Sequence, residues 1–257
     1  MNDDVLPKAS PDDGVTPAQP LPQPPPPPEP LVLTADMLAP QEPPKRIDFE
    51  RGINHAPLFT LMMIGALVGV FVWELFTGAL DSEAAIVQAG ALSRPEVMSG
   101  EVWRLVTATF LHGGFDHLFG NCAILYILGM ASEHAFGTTR TIAIYAVSGL
   151  SGSLLSLTLT QGPSVGASGA IFGLAAAIIV FFYRYQHVFF VRDKRVGFVL
   201  LVWVVYSVGL GFLSPDIDNF AHIGGFTGGA IMGALLPRRD RPELLQAFAV
   251  LRQNKSE

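Results

Sequence analysis

The sequence predicts an all-α membrane protein, a bundle of six transmembrane helices whose first external loop is partly embedded in the membrane. Three observations carry that expectation: sparse charge, apolar runs of bilayer length, and a sign of charge that alternates between the runs. Of 257 residues, 50% are hydrophobic and 15% charged, where an ordinary soluble domain carries about 25% charged residues. Between Ile53 and Pro237 the chain holds 7 Lys/Arg and 10 Asp/Glu, 17 charges in 185 residues. A soluble fold needs polar residues on every water-facing helix surface, so an ordinary globular enzyme is excluded. The net charge of -6 excludes little, because 9 of the 22 acidic residues lie in the first 50 positions. The single cysteine, Cys122, excludes a disulfide scaffold or a Cys-rich metal site. Set among apolar residues, it reads as a small core residue.

Residues 1–50 differ from the rest. Of the 20 prolines, 14 precede Lys45, including the run Pro24 to Pro28. Such a stretch favours polyproline II and buries too little apolar area to offset chain entropy. It is expected to be a disordered cytoplasmic tail, either a solvated tether or a Pro-rich recognition segment. Its start, Met-Asn-Asp-Asp, lacks the basic region and apolar core of a signal peptide, and it is too acidic for a mitochondrial transit peptide. Residues 51–240 are expected to form the six-helix domain, and 241–257 a second cytoplasmic tail.

A helix needs about 20 apolar residues to cross a bilayer. Six runs qualify, at about 57–79, 117–136, 141–161, 168–183, 197–213 and 219–237. The fourth is short: its 16 residues rise about 24 Å as a helix, less than the ~30 Å hydrocarbon core. One end must stop inside the slab, where only protein or a water-filled cavity satisfies its backbone.

The Lys/Arg bias of the loops sets orientation. Lys45, Arg46 and Arg51 precede the first span, Arg140 joins the second and third, Arg184, Arg192, Lys194 and Arg195 join the fourth and fifth, and Arg238, Arg239 and Arg241 follow the sixth. The alternate loops carry Asp81, Glu83, Glu96 and Glu101, and then Asp216 and Asp218, with Arg94 and Arg104 as their basic residues. Both termini are therefore expected in the cytoplasm. The first external connection, 80–116, contains Ile86, Val97, Val102 and Trp103, too apolar for a floppy loop.

Polar groups inside spans are costly and mark function by default. Three places stand out: His112 and His117 with Asn121 at the external start of span two, Ser168 in Gly166-Ala167-Ser168-Gly169 at that of span four, and His222 at that of span six. All three spans run inward, so these groups share a depth and form one candidate site. Gly169 and Gly173 follow Ser168, and Gly225 and Gly229 lie on the face of His222. Two such faces allow close helix approach, which would bring Ser168 Oγ within reach of the His222 ring. A serine beside a histidine base is an activated nucleophile. His117 and Asn121, at i and i+4, can both donate to an oxyanion.

In these residues and their spacing the chain resembles the rhomboid family of intramembrane serine proteases over about 57–237. Glu101-x-Trp103-Arg104 is similar to the family's Trp-Arg element, and His112, His117 and Asn121 match its His-x4-His-x3-Asn spacing. Gly166-x-Ser168-Gly169 resembles the nucleophile motif, Ala221-His222-x-x-Gly225-x-x-x-Gly229 the histidine helix, and Gly129, Glu133 and Gly137 also fit. The resemblance implies a rhomboid-like bundle with Ser168 as nucleophile and His222 as general base. It implies an oxyanion hole of His117, Asn121 and the Ser168 N–H. His112 would hydrate or order the site, Trp103 and Arg104 would hold the first connection in the outer leaflet, and Phe172 would pack on the histidine. Asp218, one turn before His222, is either an orienter of the ring or a plain loop-end carboxylate.

The implied reaction is hydrolysis of peptide bonds in or near transmembrane segments of other membrane proteins. The implied gate is span five with its cap, 212–217, loosened by Gly209 and Gly211. Neither metal nor any other cofactor is required, and nucleic acid is not an expected partner. A metalloprotease would want His-Glu-x-x-His, which is absent. A transporter would show matching halves and a midplane site. The alternative function is a catalytically silent rhomboid-like escort of membrane proteins. The expected location is a prokaryotic plasma membrane, with an organelle as the other possibility. Oligomeric state and the physiological substrate stay open.

Overall fold

The computed structural model describes residues 48–239 apart from 51, 52, 54, 55, 215 and 216. Nearly all of the two expected tails lies outside the described residues. The described residues form nine helices: α1 Leu58–Thr77, α2 Glu83–Ala89, α3 Arg94–Met98, α4 Arg104–Thr107, α5 Phe115–Phe136, α6 Thr138–Leu159, α7 Ser168–Arg184, α8 Val191–Gly211 and α9 Asn219–Leu235. There is no strand among them, only one antiparallel bridge between Leu92 and Ser164. Six helices are long, and the three short ones all fall in the connection between α1 and α5. The fold is the expected all-α bundle.

Helix ends follow local chemistry. Gly78 closes α1 in the left-handed conformation at φ 71°, which glycine adopts without a Cβ penalty. Gly137 alone separates α5 from α6. The expected start of span five at 197 is corrected to Val191. The charged stretch read as a loop is partly the first turn of α8, where Asp193 complements the helix dipole. Pro237 lies just beyond the end of α9 at Leu235. By length and composition alone, α1 and α6 are apolar enough to cross a membrane. The others are short, or carry polar residues on inward faces.

The bundle is built around α7. Gly169 to Ile178 is a continuous buried run, followed by buried Phe181 and Phe182, as for a helix enclosed on all sides. Lipid gives little hydrophobic drive between helices, so small residues govern their approach. A Cβ on Gly225 would collide with the Gly169 carbonyl oxygen, and one on Gly229 with that of Gly173. A Cβ on Gly152 of α6 would lie 2.7 Å from the Ala221 carbonyl oxygen. Three backbones thus meet with no room for a methyl group. Outward faces are apolar instead: Met62 and Phe76 of α1 and Phe198 and Val205 of α8 are exposed.

The inner end is held by polar knots. Glu133 of α5 accepts the Thr60 N–H at 2.9 Å and the Thr60 hydroxyl at 2.8 Å, so it docks the start of α1. Phe49 inserts its ring among His134, Phe182, Phe181 and Phe189. Its N–H donates to Asp193 Oδ2 at 3.0 Å, and its carbonyl oxygen lies 2.7 Å from His134 Nε2.

Candidate active site

The first connection provides the roof. Arg104 is 5% exposed, and its guanidinium is used inside the protein. It pairs with Glu101 at 2.6 Å, donates to the Ala91 carbonyl at 2.9 Å and to the Val87 carbonyl, and lies 4.7 Å over the Trp103 ring. Arg104 therefore braces the carbonyls at the end of α2, while Trp103 beside it is half-exposed. The segment before α7 is stitched beneath this roof. Leu92 and Ser164 exchange backbone bonds of 3.0 and 2.9 Å, and Gly166 N–H donates to the Ala108 carbonyl at 2.9 Å.

Gly166 has φ +124°, a backbone region that L side chains rarely enter. Space demands glycine as well, since a Cβ there would sit 2.7 and 2.8 Å from Cε1 and Nε2 of His117 and 3.6 Å from Nδ2 of Asn121. The His117 ring and the Asn121 amide thus both face the loop two residues before Ser168. Asn121 Nδ2 is buried without a hydrogen-bond partner.

Ser168 is the first residue of α7 and His222 lies in the first turn of α9. The close contact at Gly169 and Gly225 brings Ser168 Oγ to 2.9 Å from His222 Nε2. Phe172, one turn into α7, stacks on the His222 ring with centroids 4.1 Å apart and planes at 4°. Trp203 of α8 lies behind Phe172 at 5.2 Å. His222 Nδ1 is buried with no hydrogen-bond partner.

Asp218 does not orient that ring. Its carboxylate caps α9 by accepting the Ala221 N–H at 3.0 Å, and it also accepts the Thr160 hydroxyl at 2.7 Å and the Ser156 hydroxyl. Burial raises the pKa of this carboxyl, but donors from Ser156, Ser164, Thr160 and Ala221 outweigh it and hold the pKa below the usual value.

His112 is fully buried in the turn before α5. Its Nδ1 lies 3.2 Å from the Phe110 carbonyl oxygen, and its ring meets that of His117 edge-on at 5.2 Å. Burial, then the neighbouring His117, push its pKa down to about 4 against the Phe110 bond, so its ring is neutral at neutral pH.

Sequence reasoning missed Glu74. It is fully buried near the end of α1, and its carboxylate accepts the His112 N–H. A lone acid in an apolar span was the available signal. The reading of Gly211 as a loose joint is also corrected, because a Cβ there would collide with Asn219 and lie 2.9 Å from Ile217. Gly209 has nothing within 4 Å. Among the described residues no group of His, Cys, Asp or Glu could hold a metal ion. A small recess behind the serine loop is lined by Thr109, Ser153 and Ser164 together with Leu92, Ala108 and Val165.

The rhomboid-domain family matches residues 99–239, which contain His112, His117, Asn121, Ser168 and His222 but not Glu74. The chain belongs to the rhomboid family. It is 34% identical over 183 residues to rhomboid protease GluP of Bacillus subtilis, covering 71% of this chain and 36% of that protein. To RHOMBOID-like protein 7 of Arabidopsis thaliana it is 42% identical over 194 residues, 71% of this chain and 59% of that one. Inactive RHOMBOID-like protein 8 of the same plant is 35% identical over 129 residues, 49% of this chain and 36% of that one. The chain thus spans about a third to three fifths of the length of these curated relatives. As a rhomboid it is a multi-pass membrane protein.

Proposed function

We propose that this rhomboid is an intramembrane serine endopeptidase that cleaves transmembrane segments of other membrane proteins through a Ser168–His222 dyad. The observation that carries the reading is the 2.9 Å approach of Ser168 Oγ to His222 Nε2 inside a bundle packed too tightly for a methyl group. His222 Nε2 takes the hydroxyl proton as Oγ attacks the scissile carbonyl carbon. The imidazolium then returns that proton to the leaving amine. Phe172 holds the ring plane, and its π face favours the cationic form.

The tetrahedral oxyanion is met by three donors. The Ser168 N–H lies in the first turn of α7, where helix N–H groups lack intrahelical partners and the dipole favours negative charge. The otherwise unpaired Asn121 Nδ2–H and a His117 ring N–H complete the set. Water then attacks the acyl-enzyme carbonyl, losing its proton to His222 Nε2, and the acid product leaves as Ser168 recovers its hydroxyl. A substrate helix must unwind locally to present a carbonyl, which favours helix-weakening residues near its outer end. The loop charges support a site open to the outer face of the membrane, with both termini in the cytoplasm.

The test is cleavage of tagged single-span proteins in liposomes by wild type, Ser168→Ala and His222→Ala. Cleavage near the outer boundary, lost in both variants and indifferent to chelator, is expected. Cleavage surviving Ser168→Ala would reject the nucleophile. An absence of labelling by a serine-directed fluorophosphonate, with no cleavage, would support the silent escort.

A further inference from the structure

We propose that Glu74 is a positioning residue that holds the turn before α5, and through it the oxyanion donors His117 and Asn121. This inference rests on the protease reading above. Glu74 is the single charged residue of α1 and is fully buried. A carboxylate at such a place is retained only with donors to satisfy it. The donor is the His112 N–H, at 3.0 Å from Oε1 and 3.3 Å from Oε2.

The turn it grips has little else to define it. Gly113 and Gly114 lead into α5, and Gly114 begins the helix without a side-chain cap. Around Gly114 there is nothing within 4 Å of a Cβ position, and around Gly113 only Val165 at 4.0 Å. His112 is therefore the fixed point. Its N–H is on Glu74, its Nδ1 is on the Phe110 carbonyl, and its ring abuts His117. His117 follows five residues later and Asn121 four after that. Removing the acceptor orphans a buried N–H, and the turn must move to find another partner. A misplacement of about 1 Å in a catalytic arrangement can cost on the order of 100-fold in rate.

The anchor is separable from general packing. Thr60 and Glu133 dock α1 on α5 at the opposite end of the helix, so loss of Glu74 leaves the two helices together. The change is therefore expected in turnover and not in substrate binding.

The experiment uses the full chain in liposomes, comparing wild type, Glu74→Gln, which keeps a carbonyl acceptor, and Glu74→Leu, which keeps none. Glu74→Ser, polar but too short to reach the amide, replaces the leucine variant if that one does not fold. Two quantities are measured: kcat and KM on a tagged single-span protein, and amide hydrogen exchange of residues 109–120 against 170–180 as an internal control. In the leucine or serine variant kcat should fall about 10- to 100-fold with KM within about twofold, and exchange should rise in 109–120 alone. Glutamine should stay near wild type in both. Unchanged exchange in the broken variant, or glutamine behaving like leucine, would overturn the inference. If wild type neither cleaves nor is labelled by the fluorophosphonate, the protease reading fails, while the exchange comparison still decides whether Glu74 holds the turn.

Discussion

The ring of Phe172 lies flat on the ring of His222, with centroids 4.1 Å apart and planes within 4°. The histidine has no acceptor at Nδ1, so stacking takes over the orienting work that a third polar group would do. Phe172→Ala leaves the ring free to turn away from Ser168 and should lower kcat about tenfold or more, with fluorophosphonate labelling slowed in parallel. Phe172→Tyr keeps the π face and should retain most activity. A fully active alanine variant would show that the Ser168 contact alone fixes the ring.

The packing of α7 on α9 makes a sharper demand. A Cβ on Gly225 would collide with the Gly169 carbonyl oxygen, and backbone cannot step aside as a side-chain tip can. Overpacking costs about 1–3 kcal/mol where a core can yield, and this contact cannot yield without parting Ser168 from His222. Gly225→Ala should abolish cleavage and lower the unfolding temperature in detergent. Gly69→Ala, at an exposed position with nothing within 4 Å, should change neither. Equal effects would mean that the glycine contact does not set the dyad distance.

Much of this was legible in the sequence because lipid makes polar residues conspicuous. Ser168, His222, His117 and Asn121 stood out as costly groups at one depth, and the glycine spacing indicated which helices must touch. Helix ends were less legible. The start of α8 is charged, and hydropathy reads charge as loop, although the helix begins at Val191. The use of Asp218 was also hidden, because its partners Ser156 and Thr160 come from the end of α6 and the residue that caps it, about 60 residues away in the chain. The partners of Arg104 were hidden for the same reason, since only tertiary structure reveals the Val87 and Ala91 carbonyls that it satisfies.

Asp218 yields a prediction in pH. Its folded pKa lies below the ordinary value, near 3.9 in an unfolded chain. The stability it contributes is therefore fully present above that value and is lost as pH falls through the folded pKa. Asp218→Ala should cost about 1 kcal/mol at pH 7, the usual loss for an N-cap. The gap from wild type should narrow below about pH 4. Detergent unfolding at pH 7 and at pH 3 measures it, and a gap that widens in acid would reject the assignment.

Gating of the site can be tested at the other side of the bundle. α8 presents exposed Phe198, Val202 and Val205 outward and touches the site through Trp203 behind Phe172. If its outer half must swing aside to admit a substrate helix, an engineered disulfide between the outer ends of α8 and α5 should abolish cleavage of membrane substrates. Reduction should restore it. Undiminished cleavage with the bond formed would exclude this route.

Such a swing needs a fixed inner end, and Phe49 supplies one. Its N–H is held by Asp193 in the first turn of α8 at 3.0 Å, and its carbonyl oxygen by His134 of α5 at 2.7 Å. Its ring is 7% exposed, among aromatics of α5, α7 and the segment before α8. Phe49→Ala removes the ring and opens a cavity, a change that costs about 3–5 kcal/mol in a core. Loss of that size should lower the apparent unfolding temperature by roughly 6–20 °C. The site lies at the opposite end of the bundle, so cleavage measured well below that temperature should stay within about threefold of wild type. Phe49→Leu, which fills much of the volume, should lie between the two in stability. An unfolding temperature unchanged by Phe49→Ala would show that the aromatic cluster holds the inner end of α8 without it.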